Sequence, residues 1–211
     1  MAHLDLEEQE QLAQLKSWWE TYGGMVVMGL VLAAVVFSGW QGWRYWQERQ
    51  STEASNLFET LGKAMQGSEP KAVRDAAGEL LEKYPRTLYA SMGALGSARY
   101  FFEKADLKSA KAQLQWVIDK TNSDEFRDVA RLRMVNVLLD EKAYDEGLKV
   151  LEEKHGEAFD AQFATLKGDL LVAKGQPAEA KAAYKVALEK ADKKNTGARD
   201  SIQMRLDALG G

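Results

Sequence analysis

The feature that most constrains this chain is a long uncharged stretch close to its N-terminus. No residue between Glu20 and Arg44 carries a charge, and the nineteen residues from Tyr22 to Trp40 would form a helix roughly 28 Å long at about 1.5 Å per residue. That length is close to the roughly 30 Å of bilayer hydrocarbon. Indole rings favour the water–lipid boundary, and both ends of the stretch carry them: Trp18, Trp19, Trp40, Trp43, Trp46. The sequence therefore predicts a transmembrane anchor with aromatic flanks over residues 21–46.

Two other interpretations of this stretch fit the sequence less well. A signal peptide has a basic start and a small-residue cleavage site, whereas Asp5, Glu7 and Glu8 precede this stretch and bulky aromatic residues follow it. A buried core helix of this length would rarely lack a polar face. We expect an uncleaved anchor, preceded over residues 1–20 by an acidic tail. That tail forms either a short helix on the membrane surface or a docking segment.

One face of the predicted anchor carries small residues at four-residue intervals: Ala34, Ser38 and Gly42. Small side chains let two transmembrane helices approach closely, so these residues form a candidate transmembrane contact face. The same spacing also arises by chance.

The remainder, residues 51–211, is rich in Ala, Leu, Lys and Glu, and the whole chain has three prolines, which favours helix throughout. Turn signals recur at Pro70, Leu107, Tyr144 and Pro177, in steps of 37, 37 and 33 residues. This spacing is typical of tetratricopeptide-like helix–turn–helix repeats. We predict an all-α fold: one N-terminal transmembrane helix, then a tetratricopeptide-like domain closed by a C-terminal capping helix that begins near Asn195. The alternative is an irregular helical bundle.

The repeat pattern also predicts where paired helices cross. In the fourth unit Gly168 takes the small position and Tyr184 a large one, and Ala98 takes the small position of the second unit. The third unit fits loosely, because Val135 stands where a small residue is expected.

A stacked helical-repeat array presents a concave face lined by the first helix of each pair. Arg99, Asn136 and Asp169 are the more informative candidates, because a polar residue on an inner face needs a reason. Counted from the turns, the candidate partner-binding residues are Met92, Leu95, Arg99, Phe102, Leu132, Asn136, Leu139, Thr165, Asp169 and Val172.

The sequence offers no signal of catalysis, so we expect no enzyme, no cofactor and no metal site. Cysteine is absent, and the two histidines, His3 and His155, have no zinc-ligand spacing around them. Gly23-Gly24 lacks the context of a phosphate-binding loop. The net charge of −4 is spread evenly without a basic stripe, so we expect no nucleic-acid partner.

The charged flanks of the anchor give a weak prediction of orientation. Lys16 precedes the stretch, while Arg44 and Arg49 follow it, which mildly favours a cytoplasmic C-terminus. Long domains cross the membrane largely regardless of such a small difference.

The layout resembles the YfgM family of Gram-negative inner-membrane proteins over nearly the whole chain. The most specific points are the exit from the anchor, Gly42-Trp43-Arg44-Tyr45-Trp46, and the segment Ala112-Gln113-Leu114-Gln115; the chain closes on Gln203-Met204-Arg205-Leu206. The resemblance implies an ancillary subunit of the SecYEG translocon with a cytoplasmic N-terminus and a periplasmic domain. It also implies association with the chaperone PpiD, so that secreted proteins pass to periplasmic chaperones.

A second hypothesis keeps the membrane-anchored helical-repeat scaffold but assigns it to cell-envelope assembly or regulation, without a translocon role. In both hypotheses the partners are proteins and inner-membrane lipid, and self-association remains open.

Overall fold

The structure is a computed structural model that describes residues 6–67 and 69–210. His3, with the rest of residues 1–5 of the predicted tail, lies outside the described residues. The chain divides into two compact units, Met1–Gln50 and Ser51–Gly211.

Every regular element in the described part of the chain is helical, which confirms the predicted all-α class. A 3₁₀ turn, Glu157–Phe159, lies between α6 and α7. The α-helices are α1 (Leu6–Gln66), α2 (Pro70–Lys83), α3 (Leu88–Glu103), α4 (Leu107–Lys120), α5 (Asp124–Asp140), α6 (Tyr144–Glu152), α7 (Asp160–Ala173), α8 (Pro177–Lys190) and α9 (Thr196–Ala208).

In the first unit, α1 is long and apolar enough to cross a membrane. Most of the large apolar side chains of α1 within this unit are exposed, Val36 to 69%, as expected for a surface that lipid would cover. The candidate contact residues Ala34, Ser38 and Gly42 are exposed on the same helix. Their role in helix contact stays a prediction.

The second unit consists of the helix pairs that the turn spacing predicts. Pro70, Leu107, Tyr144 and Pro177 are the first residues of α2, α4, α6 and α8. The predicted capping helix is α9, and the side chain of Asn195 accepts a hydrogen bond from the Ala198 N–H (3.1 Å) at its start.

Side-chain size alternates where the paired helices cross. Residues sixteen positions apart share a core in each pair, and a large residue on one helix goes with a smaller one on the other. The loose third unit follows the same rule, with Val135 fully buried. The four pairs are Leu61 with Ala77, Ala98 with Leu114, Val135 with Leu151, and Gly168 with Tyr184.

Three of the turns share one backbone motif. Ala105, Lys142 and Gly175 have positive φ angles of 59°, 61° and 79°. In each turn the next residue donates its N–H to the carbonyl five positions back, as Asp106 does to Phe101 (2.9 Å). This is the Schellman arrangement, which favours glycine at the left-handed position. Ala105 and Lys142 therefore occupy positions at which glycine would adopt the backbone conformation with less strain.

We expect Ala105→Gly and Lys142→Gly each to raise the free energy of unfolding by about 0.5–1 kcal/mol, because glycine adopts positive φ without a steric penalty. Urea titration of the full chain in detergent, followed by circular dichroism, measures the change. Gly175→Ala is the reverse control and should destabilise by a similar amount. A loss of stability in both glycine variants would contradict the explanation.

Candidate partner-binding groove

Two neighbouring pockets lie along the first helices of the repeats, and together they are called the groove here. The first pocket, about 210 Å³, lies among α3, α4 and α5. The second, about 650 Å³, lies among α5, the 3₁₀ turn, α7 and the region from the end of α8 through α9. Asn136 lines both pockets, so they are adjacent. The first helices of the repeats, α3, α5 and α7, line these pockets, and α9, which packs against α8, faces α7 across the second one.

Six of the ten predicted groove residues line these pockets. Arg99 and Phe102 line the first, Asn136 lines both, and three line the second: Leu132, Thr165 and Asp169. The other four, Met92, Leu95, Leu139 and Val172, line neither pocket. Met92 and Val172 are exposed outside both pockets, and Leu139 packs partly buried against the core that contains Val135. Whether any of the ten contacts a partner stays a prediction.

The structure corrects the prediction that Leu95 lines the groove. Its side chain is 6% exposed and belongs to the core that includes Ala130 and Met134 of α5. A buried side chain presents no surface to a partner. Counting from the turn places Leu95 near the edge of the inner face, but α5 packs over that edge.

Asp169 is hydrogen-bonded to side chains of two other helices of the domain. Its Oδ1 accepts hydrogen bonds from the Tyr184 hydroxyl (2.7 Å) and from Nε of Arg205 (3.0 Å). Arg205 also donates to the Ser201 carbonyl (3.0 Å). Burial first, and then the hydrogen bond to Asp169, raises the pKa of Tyr184. The carboxylate therefore joins α7, α8 and α9, and this is a sufficient reason for a charged residue on the inner face.

The other polar residues that the sequence predicted for the groove bond within their own helices. Arg99 donates from Nε to Glu103 (2.8 Å), which raises the pKa of Arg99. Asn136 donates to the Leu132 carbonyl (3.1 Å), and Thr165 donates to that of Ala161 (2.7 Å). Arg99 and Asn136 are exposed. These side chains therefore stay accessible on the inner face.

Sequence reasoning missed several groove residues. Arg133 of α5 lines the first pocket, and Ser201, Ile202 and Arg205 of α9 line the second. A signal for Arg133 was available, because it stands three residues before Asn136 and so shares its helix face. No such signal existed for α9, since its contribution depends on how it packs against α8 and is thereby placed beside α7.

Among residues 6–67 and 69–210, no group of three or more His, Cys, Asp or Glu side chains is arranged to hold a metal ion. His155 stacks on Phe163, with ring centroids 3.8 Å apart, and its Nε2 lies 3.4 Å from Oδ1 of Asp160. Asp160 also pairs with Lys190 (2.9 Å). This cluster fixes the start of α7.

Comparison with known families defines the class of protein first. A family model described as a tetratricopeptide repeat-like domain matches residues 16–211, which is most of the chain. No solved structure matches the chain significantly.

Curated relatives then narrow the class. A Haemophilus influenzae protein described as an ancillary SecYEG translocon subunit is 30% identical over 185 residues, covering 86% of this chain and 89% of the relative. A Neisseria gonorrhoeae protein with the same description is 29% identical, over 97% of this chain and 98% of the relative. One from Escherichia coli is 26% identical, over 86% of this chain and 87% of the relative. The chain belongs to the family of ancillary SecYEG translocon subunits with a tetratricopeptide-like domain, which confirms the resemblance to the YfgM family. Together with the apolar helix α1, these relatives indicate a single-pass inner-membrane protein.

Proposed function

We propose that this translocon subunit places its repeat domain, residues 51–211, in the periplasm, where the groove binds a membrane-anchored chaperone of the PpiD type. Secreted proteins leaving the translocon would then meet a chaperone held beside it. The observation that carries the proposal is the groove itself: a second pocket of about 650 Å³, built by α5, α7 and α9, in a domain that follows a helix able to span the membrane.

The anchor supports this function because it removes the need for tight binding. Two proteins held at the same membrane meet at a high effective concentration, so weak contacts in the groove are enough. The face formed by Ala34, Ser38 and Gly42 offers a second contact within the membrane, to a translocon helix or to a second copy of the chain. This division assigns the translocon to the anchor and the chaperone to the domain.

Topology is the first requirement of the proposal. We expect a reporter that is active in the periplasm to work when fused after Gly211, and a reporter active in the cytoplasm to fail there. The physical reason is that the bias from Lys16, Arg44 and Arg49 is too small to retain a long domain. The reverse result would exclude the hand-over to periplasmic chaperones.

Co-purification from detergent extracts tests the groove itself. Asn136→Trp would fill the point where both pockets meet, and Asn122→Trp is the matched control at an exposed turn. The proposal expects the first variant to lose the chaperone while keeping the translocon, and the control to keep both. Retention of the chaperone by Asn136→Trp would exclude the groove as its site.

The same extracts address the envelope-assembly alternative. This alternative predicts that the wild-type chain co-purifies with envelope proteins and without SecYEG. The names of the relatives favour the translocon.

A further inference from the structure

The first pocket combines an apolar floor with two guanidinium groups. Arg99 of α3 and Arg133 of α5 line it together with Asn136. Its volume of about 210 Å³ is smaller than the roughly 300–1,000 Å³ of typical small-molecule sites, so it suits one side chain better than a whole ligand. The apolar lining residues are Ala98, Phe102, Leu114 and Val137.

Arg133 differs from the other cations of the groove. Arg99, Lys190 and Arg205 form ion pairs with Glu103 (2.8 Å), Asp160 (2.9 Å) and Asp169 (3.0 Å). None of the ion pairs found in the described part of the chain includes Arg133. Its one hydrogen bond there runs from an Nη atom to the backbone carbonyl of Leu95 (3.0 Å). Because a guanidinium has five N–H donors, most of its donors are open to an incoming group.

The electrostatic environment of Arg133 would be improved by an anion. Burial first, and the like charge of Arg99 second, lowers the pKa of Arg133. Both causes disfavour the charged form of this side chain, which is exposed at the pocket, and the negative charge of a bound carboxylate would offset their effect. Arginine is also weakly hydrated and binds carboxylates in a planar, two-pronged geometry, so it suits a site beside apolar side chains.

We propose that the first pocket recognises an acidic side chain of a partner polypeptide, with Arg133 binding the carboxylate and the apolar floor receiving the apolar side chain next to it. The inference rests on the proposed function insofar as it takes the groove as the partner-binding surface. It adds the chemical class of the recognised segment: an Asp or Glu flanked by an aliphatic or aromatic residue. Arg99 lines the same pocket but stays paired with Glu103 (2.8 Å).

A peptide-binding measurement tests this on the full chain in nanodiscs of phosphatidylcholine. The probe is the fluorescein-labelled heptapeptide Gly-Ser-Leu-Asp-Leu-Ser-Gly with both ends blocked, and the comparison peptide carries Asn in place of Asp. We expect fluorescence anisotropy to give about tenfold tighter binding of the Asp peptide, the effect of one charge-assisted hydrogen-bonded pair. Replacing both Leu residues of the probe by Ser should weaken binding further.

Variants then assign the preference to Arg133. Arg133→Gln should abolish the difference between the Asp and Asn peptides, and Arg133→Lys should keep only part of it, because an ammonium lacks the two-pronged geometry. The matched control is Arg86→Gln, an exposed arginine outside the groove, which should keep the full preference. Melting temperatures of all variants establish that they fold. A wild-type chain without the preference, or an Arg133→Gln variant that keeps it, would overturn the proposal.

Two further arms distinguish other occupants. If an unblocked peptide ending in Leu binds more tightly than the Asp peptide, the pocket recognises a C-terminal carboxylate instead. If nanodiscs containing phosphatidylglycerol abolish peptide binding, an anionic lipid headgroup is the occupant. Each result would overturn the choice of an acidic side chain. The topology reporters are independent of all these peptides, so the proposed function and this inference can fail separately.

Discussion

Gly168→Ala is expected to lower the free energy of unfolding by about 3 kcal/mol, the upper range for overpacking a core. A Cβ atom at Gly168 would lie 2.3 Å from Cε1 and 2.5 Å from Cδ1 of Tyr184. The ring has little freedom to retreat, because its hydroxyl donates to Asp169 (2.7 Å) and its side chain is 2% exposed. The clash therefore either separates α7 from α8 or breaks the hydrogen bond from Tyr184 to Asp169, the carboxylate that Arg205 of α9 also binds.

Gly78→Ala is the matched control for this variant. Gly78 is an exposed residue of α2, and a Cβ there would meet nothing within 4 Å. Alanine should therefore stabilise that helix by about 0.5–1 kcal/mol through backbone entropy. Urea denaturation of both variants in the same detergent gives effects of opposite sign. If Gly168→Ala also stabilises, the close approach to Tyr184 is not a constraint on the fold.

A second substitution tests the rule of alternating side-chain size. Adding Tyr184→Leu to Gly168→Ala copies the Ala98 and Leu114 pair of the second unit. The double variant should recover part of the lost stability, although it also loses the hydrogen bond to Asp169. Non-additivity of the two changes is the quantity that measures their coupling.

The helix boundaries could be predicted from the sequence because their signals are local. Pro70 and Pro177 suit the first position of a helix, and Asn195 caps the last one. The link between anchor and domain was less readable. Residues 47–50, predicted to lie between them, continue α1, because they contain no glycine or proline to end the helix.

The groove could be predicted only in part because its lining depends on tertiary packing. The helical period placed Asn136 and Asp169 on the inner face. The same period cannot show that α5 covers Leu95, nor that Arg133 reaches across to the Leu95 carbonyl (3.0 Å). Both outcomes arise where α3 and α5 meet, and the two residues involved, Leu95 and Arg133, are 38 positions apart in the chain.

Asp128→Ala is expected to lower the free energy of unfolding by about 3 kcal/mol, because it removes a buried carboxylate and leaves Arg131 with the exposed Glu153 (3.7 Å) as its ion-pair partner. Asp128 is 2% exposed and accepts from the Gly156 N–H (2.9 Å) and from Arg131 (3.3 Å). Arg131 also donates to the Lys154 carbonyl (2.7 Å). The pair thus ties α5 to the segment that leads from α6 into the 3₁₀ turn.

Two companion variants separate the charge from the hydrogen bond. Asp128→Asn keeps an acceptor for Gly156 and should cost about half as much, since a neutral hydrogen bond is weaker than a charge-assisted one. Asp140→Ala, on the exposed C-terminal end of the same helix, should be neutral or slightly stabilising, because a negative charge there opposes the helix dipole. Urea denaturation ranks the three variants, and equal costs for Asp128→Ala and Asp140→Ala would refute the buried pair.

Glu157 and Ala158 follow the segment that Asp128 and Arg131 hold, and they line the second pocket. Asp128→Ala should therefore also increase hydrogen exchange at residues 154–159 before the rest of the domain opens, and so weaken partner binding in the groove.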